Sequence, residues 1–595
     1  MKLFLIDGIG PFFKGYGPKR VNWSKIPFHH LETEDGLDLE RFEGIQRDFR
    51  RFCEKVAALG YNAVSLDDVA HLVPHPNYPE LLKRKIEQYR EQFRLLFDSA
   101  ARFGLQVYLT TDLMFYNSTL DEELGLDFDR ITDFLSASFD GLMEDFPQLS
   151  GIILRIGESD GLDVHGDFKS RLVVRSPGQA RRLIERLLPV FERHRKLLVF
   201  RTWSVGAYSI GDLIWNRSTF DRTFGGLESP SLVISMKPGE SDFFRFLPLS
   251  RLFLHSDHQK IFEIQARREY EGCGEFPSFI GWDLETYRRD LEQARGVIGI
   301  SVWCQTGGWT KFRRLTYVEG NSVDGSSVWN ELNTEVAVDL FRRPELDVEQ
   351  AVRRAFERRR PEGQDPSAQD PSAQDPSTLD SEADQLLELL RLSDEVVREL
   401  LYIDDFARQQ IFFRRSRIPP LLSVYWDRVL INHSMRKLMR CFVADGEAKI
   451  RQGREALDKI RRMIELAGPL DLPVEDLEFQ LQTFEFLAVA REYYFGPYDE
   501  ELAQRLKKMR KRYKKKVRKP RYTLSLDFRA LPVKRAHLRW IFAVMLRRKR
   551  GYRLIDQVVT VRLMGWIYPM VRRFEHRWTP KFARKQAMGV ETILR

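Results

Sequence analysis

The stretch L-S-G-I-I-L-R-I-G-E-S-D, residues 149–160, carries the strongest structural signal in this sequence. Its apolar run ends directly in Arg155, Gly157 and Glu158. Fully buried strands are continuous apolar runs, and in parallel α/β folds the chemistry lies just beyond the C-terminal ends of the strands. The pattern therefore makes Glu158 a candidate catalytic acid. The alternative is an ordinary ion pair between Arg155 and Glu158 at the end of a strand.

Similar apolar runs recur through the first 345 residues, with amphipathic segments between them that are long enough for crossover helices. This alternation is typical of βα units and a parallel sheet. Eight such units predict an α/β fold, a (β/α)8 TIM barrel, and a doubly wound open sheet is the alternative. The eight runs are 3–7, 61–68, 105–112, 151–158, 197–203, 231–237, 260–266 and 296–305.

The residues that end these runs favour the barrel. Almost every run ends in a carboxylate, an Arg, a Trp, a Lys or a Gln: Asp7, Asp68, Asp112, Glu158, Arg201 with Trp203, Lys237 and Gln305. A barrel gathers such strand ends on one face, where active sites of this fold lie. We therefore expect Asp112 and Lys237 to contact a substrate there.

Composition changes after the barrel and predicts four regions. Residues 1–345 form the barrel, and residues 346–378 form a connecting segment that contains the repeat QDPSA-QDPSA-QDPST. Residues 379–500 are predicted to be an α-helical domain, with helical periodicity over 379–404, 419–463 and 474–495. Residues 501–595 are a basic, aromatic-rich helical tail.

The N-terminal segment and the cysteines predict a cytoplasmic protein. The first apolar run is too short for the apolar core of a signal peptide, and no membrane-spanning helix is evident. The four cysteines lack metal-like spacing and are too few for a disulfide framework: Cys53, Cys273, Cys304 and Cys441.

Positive charge is concentrated in the tail, where residues 505–521 contain twelve Lys or Arg among seventeen residues. Such a run favours an anionic partner. Residues 540–578 alternate apolar and Arg-rich patches, which suits helices that lie on the inner face of a membrane. A basic helical subdomain packed on the body is an equal alternative, and nucleic acid is disfavoured because no binding motif accompanies the charge. A homodimer is a possible oligomeric state that the sequence does not decide.

Two further carboxylates accompany Glu158. Asp242 follows the sixth run and Glu263 lies within the seventh, so the fourth, sixth and seventh strands can direct acids into one cleft. Glycoside hydrolysis needs a pair of carboxyl groups, one that protonates the leaving oxygen and one that activates water or attacks the sugar. The reaction needs no metal and no organic cofactor.

Residues 151–350 resemble the catalytic barrel of the family 67 α-glucuronidases. The segments 151–158, 200–203, 235–242, 262–272, 308–310 and 329–330 follow that family's motifs in order. The resemblance implies an inverting hydrolase of an α-linked uronic acid or related sugar. It makes Glu158 the acid, with Asp242 and Glu263 on the water-activating side.

The resemblance also implies how the sugar is held. A guanidinium group matches a uronate carboxylate in a bidentate manner, and an indole stacks on a sugar face. The residues that it places at the substrate are Arg155, Arg201, Trp203 and Trp309. The alternative function is a glycan-binding or scaffold protein of surface-polysaccharide assembly, docked on the inner membrane surface.

Overall fold

The computed structural model describes residues 1–15, 26–156, 166–203, 209–214, 216–239, 243–304, 312–313, 328–359, 376–407, 428–440, 443–528 and 536–537. Within these residues eight parallel strands close into a barrel, which confirms the predicted fold. The first and last barrel strands pair, with Leu5 opposite Ser301, so the sheet has no open edge. This pairing excludes the doubly wound alternative.

Every predicted run contains a barrel strand, with ends shifted by at most two residues. In chain order, the strands of this part are β1 Leu3–Asp7, β2 Ala63–Asp67, β3 Gln106–Leu113, β4 Phe115–Tyr116, β5 Leu149–Ile156, β6 Lys169–Ser170, β7 Leu197–Arg201, β8 Leu232–Met236, β9 Lys260–Gln265 and β10 Val297–Trp303. Strands β4 and β6 form a separate antiparallel ribbon, and the other strands form the barrel.

Helices follow the barrel strands and cover their outer face. They are α1 Leu39–Leu59, α2 Glu80–Arg102, α3 Ser118–Leu124, α4 Phe128–Asp145, α5 Pro177–His194, α6 Arg217–Phe224, α7 Arg251–His255, α8 Gly281–Leu291, α9 Val328–Arg342 and α10 Val348–Arg359. Helix α5 begins at Pro177 because Ser176 caps its first turn and Pro177 occupies the first helical position. Helix α10 lies in the predicted connecting segment and pairs with α9 through Arg358 and Asp339.

Glycines permit close contact between strands inside the barrel. A Cβ at Gly151 would collide with the carbonyl oxygen of Leu197 and approach the Tyr108 ring, and a Cβ at Gly299 would collide with the carbonyl of Leu3. Glycine within a strand often marks such a close approach of backbones. These positions therefore help to set the packing of the barrel floor.

The C-terminal helical region, residues 376–528, contains helices and one small parallel ribbon. Its elements are α11 Pro376–Val396, α12 Asp404–Ala407, β11 Arg428–Asn432, α13 His433–Met439, α14 Gly446–Ala467, α15 Val474–Phe495, α16 Glu500–Lys516 and β12 Thr523–Asp527, with a wider helical turn over Val397–Leu401. The helical periodicity predicted over 419–463 is wrong at β11, whose residues pair with β12. The repeat spans residues 364–378, of which 364–375 lie outside the described residues. Its last three residues begin α11 at Pro376, so the prediction of a linker through residue 378 is wrong at this end.

The basic segment begins as a helix that packs on the helical region. Ala503, Leu506 and Tyr513 of α16 are buried, whereas most of its Lys and Arg side chains are exposed. The Tyr513 and Thr483 hydroxyls lie 3.1 Å apart, which joins α16 to α15. Residues 540–578 lie outside the described part of the chain. None of the helices in the described ranges is long and apolar enough to cross a bilayer.

An aromatic contact joins the helical region to the barrel. Phe276, in the loop after β9, packs on Phe484 of α15 and on Tyr522, with ring centroids 4.9 Å and 5.6 Å apart. These rings belong to one apolar cluster that continues into the barrel. The barrel and the helical region therefore share a core.

Buried ion pairs strengthen this contact around Arg245, which lies in the loop after β8. Its Nε and Nη2 atoms donate to the two carboxylate oxygens of Glu271 at 2.6 and 3.0 Å, and its Nη1 donates to Asp394 of α11 at 2.5 Å. The Tyr402 hydroxyl donates to Glu271 at 2.9 Å. The helical region thus fixes two loops at the C-terminal face of the barrel.

Candidate active site

Alternation along the strands divides the barrel interior into two layers. Inward side chains near the N-terminal ends are apolar and form a separate small core: Leu3, Leu5, Ala63, Tyr108, Ile153, Val199, Val233 and Ile261. Residues two positions further along most of these strands are polar or charged. The barrel is therefore closed at one end and presents polar chemistry at the other, which is its C-terminal mouth.

The polar layer surrounds a small cavity at the mouth. Its polar lining residues are Asp7, Ser65, Asp67, Thr110, Arg155, Arg201, Ser235 and Ser301, with Trp303. The cavity volume is about 50 Å³, which accommodates a few water molecules and not a sugar ring. A ligand the size of a sugar ring would have to lie above this layer, with the charged side chains beneath it.

Arg155 is bound on one side of the mouth by two aspartates from neighbouring strands. Its Nε lies 2.9 Å from Oδ1 of Asp112, and its Nη2 lies 3.7 Å from Oδ1 of Asp67. The register places Asp112 of β3 directly beside Arg155 of β5. All three side chains are buried, so each charge depends on the others for compensation.

Arg201 and Glu263 form a buried bidentate pair on the other side. Nε of Arg201 donates to Oε1 of Glu263 at 3.0 Å, and its Nη2 donates to Oε2 at 2.9 Å. The Ser235 hydroxyl donates to Oε1 at 2.6 Å. The guanidinium carbon lies 4.3 Å from the Trp303 ring centroid, within cation–π range.

These contacts set the protonation state of Glu263. Burial alone would raise the pKa of Glu263, but Arg201, Lys237 and the Ser235 hydroxyl together bring it below its ordinary value. Glu263 is therefore ionised at neutral pH. It cannot serve as a general acid there, whereas a base on the water-activating side must begin ionised.

Lys237 lies among aromatic rings at the mouth. It is fully buried, and its Nζ lies 4.4 Å from the Trp203 ring centroid and 4.5 Å from that of Phe243. Aromatic faces attract a cation more strongly where water is excluded. The mouth therefore contains Arg155, Arg201 and Lys237 opposite several carboxylates.

The structure brings together six of the nine predicted site residues. Asp112, Arg155, Arg201, Trp203, Lys237 and Glu263 all lie at the mouth. Glu158 follows the end of β5 by two residues, and Glu158, Asp242 and Trp309 lie outside the described residues.

Asp67 and Trp303 are among the mouth residues that the sequence analysis missed. Asp67 enters the mouth, whereas the next residue, Asp68, bonds to His71 in a neighbouring hollow. Trp303 supports Arg201, although the sequence analysis assigned it no role. The alternation of Ser65 with Asp67 and of Ser301 with Trp303 was the available signal, because residues two apart face the same side of a strand.

One trio within the described ranges has metal-ligand composition: Asp140, Glu144 and His194. It lies on α4 and α5, on the outer side of the barrel. Nε2 of His194 lies 2.6 Å from Oδ1 of Asp140, which Arg193 also contacts at 2.7 Å. These contacts account for Asp140 and His194 without a metal.

The sequence matches no protein-family model and no curated protein. The structure is similar to a GH138 enzyme targeting pectin rhamnogalacturonan II, with a TM-score of 0.52 and 12% sequence identity over 86% of this chain and 61% of that chain. This chain thus spans less than two thirds of that enzyme. CpGH84B overlaps more weakly, with a TM-score of 0.37 and 11% identity over 78% of this chain and 71% of that chain. At 12% identity, the likeness to the GH138 enzyme shows a shared fold.

Proposed function

We propose that this protein is a glycoside hydrolase that cleaves an α-linked uronic acid or a related acidic sugar from an oligosaccharide or polysaccharide. The observation that carries the proposal is the buried Arg201–Glu263 pair on Trp303 at the barrel mouth. It combines an ionised carboxylate, a guanidinium and an indole where this fold places its active sites. The fold likeness to a GH138 enzyme supports the same class of reaction.

The reaction follows from the protonation states. A general acid donates a proton to the glycosidic oxygen as the bond to the anomeric carbon breaks, and water attacks that carbon from the opposite face. The carboxylate on the water side takes the proton that the attacking water loses. Glu263 suits this second role because it is ionised, and the proposal assigns the same role to Asp242. Glu158 then supplies the acid, and the mechanism is inverting.

In this proposal the cations of the mouth bind the carboxylate of the acidic sugar. Two NH groups of Arg201 already bind Glu263, and Arg155 faces Asp112 and Asp67. A uronate carboxylate would therefore meet guanidinium groups that are held rigidly by neighbouring acids. Such preorganised charge stabilises an anionic ligand without the cost of ordering a long side chain. Lys237 adds a further positive charge beside Trp203.

A glycan-binding protein that does not cleave its ligand is the second candidate. It is favoured by the contacts of Glu263, whose two carboxylate oxygens accept hydrogen bonds from Arg201 and Ser235. Because these bonds lower its basicity, Glu263 takes up a proton less readily than a solvent-exposed carboxylate would. In this candidate function the same mouth holds an acidic sugar without hydrolysis.

Hydrolysis assays separate the two candidates. The full chain is incubated with aryl α-glucuronides and with a panel of acidic oligosaccharides, and released sugar is followed together with the anomer first formed by proton NMR. Glu158→Gln and Glu263→Gln should each lower kcat by at least about 100-fold. Glu388→Gln is the matched control, since Glu388 also forms a bidentate pair with an arginine, Arg462, but on the surface. Wild-type protein that binds these sugars and releases none would establish the second candidate instead.

We also propose that the basic tail docks on an anionic membrane surface. Exposed cations of α16 support this part of the proposal, among them Arg505, Lys508 and Lys511. Each such residue near an anionic surface contributes about 1 kcal/mol. Co-sedimentation with phosphatidylserine vesicles tests it, with neutral vesicles and high salt as controls. Binding that is the same with neutral and anionic vesicles and does not change with salt concentration would contradict electrostatic docking.

A further inference from the structure

An open cleft lies beside the barrel mouth and is separate from the small cavity described above. We propose that it is a second sugar subsite, which binds a uronate residue of the same glycan chain whose neighbouring part occupies the mouth. The inference rests on the proposed function and deepens it, because it assigns the enzyme an extended acidic glycan in place of a single sugar.

The cleft has the dimensions of a ligand site. Its volume is about 500 Å³, within the range of small-molecule pockets. One wall is the start of α2, a second is β4 with α3, and the third is the segment around β6. Lys85, Tyr116, Asn117, Asp121, Lys169 and Arg171 lie on these walls. The mouth cavity, by contrast, holds only a few water molecules.

Strand β6 connects the cleft to the mouth. The Ser170 hydroxyl donates to Oδ2 of Asp112 at 3.2 Å, and Asp112 is the carboxylate that binds Arg155. Lys169 and Arg171, on either side of Ser170, line the cleft. Because successive side chains of an extended segment point to opposite sides, one residue of β6 faces the mouth side and its two neighbours face the cleft. A glycan that leaves the mouth on this side therefore meets two cations.

The cations in the cleft are placed so that they can bind the carboxylate of a ligand. Arg171 donates to both carboxylate oxygens of Asp121, through Nη1 and, at 2.9 Å, through Nη2, and both side chains are more than a third exposed. Lys169 is exposed and forms no ion pair with any described residue. Because this bidentate pair is exposed to solvent, a sugar carboxylate can compete with Asp121 for the guanidinium.

The remaining walls hold these groups in place. Lys85 is nine-tenths buried and bound to Glu32 at 2.7 Å and to Asp167 at 2.9 Å, so its charge is compensated within the protein. The buried Tyr116 ring lies 5.2 Å from the guanidinium carbon of Arg171 and supports it from behind. The acidic sugar is therefore recognised by Lys169 and Arg171.

Calorimetric binding to the full chain tests the subsite, with uronic acid oligosaccharides of three to six units and neutral glucose oligosaccharides of equal length. Lys169→Ala and Arg171→Ala should each weaken binding of the acidic series about fivefold. Asp121→Asn should leave binding unchanged or tighten it, since it frees Arg171. Arg186→Ala is the control, because Arg186 forms an exposed pair with Asp133 away from the cleft.

Several outcomes would overturn the subsite. The first is that the wild-type protein binds no acidic oligosaccharide, and the second is that it binds the neutral oligosaccharides with the same affinity. The third is that Asp121→Asn weakens binding as much as Arg171→Ala does. The last result would show that the Arg171–Asp121 pair matters only for structure.

Kinetics on an aryl α-glucuronide separate this inference from the proposed function. That substrate carries one sugar and reaches only the mouth, so its kcat/KM should be the same in wild type, Lys169→Ala and Arg171→Ala. Absence of hydrolysis by wild type would refute the hydrolase and leave the calorimetric result to decide the subsite. If Lys169→Ala and Arg171→Ala lowered activity on the aryl substrate as much as they weakened binding of the oligosaccharides, the subsite would be refuted and the hydrolase would not.

Discussion

Replacing Arg245 with Met should destabilise the folded protein by about 3–5 kcal/mol. Its guanidinium is 1% exposed and binds both oxygens of Glu271 and one oxygen of Asp394. Met fills much of the same volume without the charge. The substitution therefore leaves two buried carboxylates without their main partner, which costs more than the pair itself contributes.

The pH dependence of this loss follows from Glu271. Burial alone would raise the pKa of Glu271, but Arg245 and Arg268, with hydrogen bonds from Arg245 and Tyr402, bring it below its ordinary value. In wild type, Glu271 therefore contributes stability above its unfolded pKa of about 4.3, and this is lost as the pH falls through the folded pKa. Without Arg245, burial raises the pKa of Glu271 in the folded protein. The cost of burying its charge is then present at neutral pH, and it is relieved as the pH falls through that raised pKa.

Urea unfolding followed by tryptophan fluorescence measures the effect at about pH 7 and about pH 5. The difference in the free energy of unfolding between wild type and Arg245→Met should be larger at the higher pH. Arg462→Met is the control, since Arg462 binds Glu388 through the same two atoms on the surface and should have no measurable effect. The double variant Arg245→Met with Glu271→Gln should regain part of the loss. A pH-independent loss, or one equal to that of Arg462→Met, would refute the reasoning.

Three further predictions concern the barrel. Arg201→Gln should raise the pKa of Glu263 and shift the acid limb of the pH profile of kcat/KM to higher pH, and an unmoved limb would argue against Glu263 as the base. Gly299→Ala should lower the free energy of unfolding by more than about 3 kcal/mol in urea titration, because its Cβ collides with the carbonyl of Leu3. Gly141→Ala should raise it by about 0.5–1 kcal/mol, since Gly141 lies within α4 with open space around it, and a loss there would contradict the helix-propensity argument.

The barrel could be predicted from sequence because its strands are buried on both faces. Each reads as a short apolar run, and the helices between them have a different period. Strand β11 was missed for the opposite reason. Its five residues lie next to a helical sequence, and its partner β12 comes about ninety residues later in the chain. Only the folded chain brings these two segments together.

The sequence predicted several of the residues that lie at the mouth, but not which of them pair with each other. The positions of Asp112, Arg155 and Glu263 at strand ends indicated that they meet at the mouth. Their partners depend on the register between strands, which a single sequence does not contain. Sequence proximity suggested Glu158 as the partner of Arg155, whereas the register adds Asp112 from the adjacent strand.

The contact between Tyr522 and the loop after β9 has a consequence for how this protein is synthesised. The Tyr522 hydroxyl donates to the carbonyl of Gly272, a residue 250 positions earlier in the chain. At about 5–20 residues per second, a ribosome needs about 10–50 seconds to add the residues between them. During that interval Phe276 and its apolar surroundings lack their C-terminal cover. The nascent barrel therefore exposes this apolar surface until the C-terminal residues of its own chain have been made.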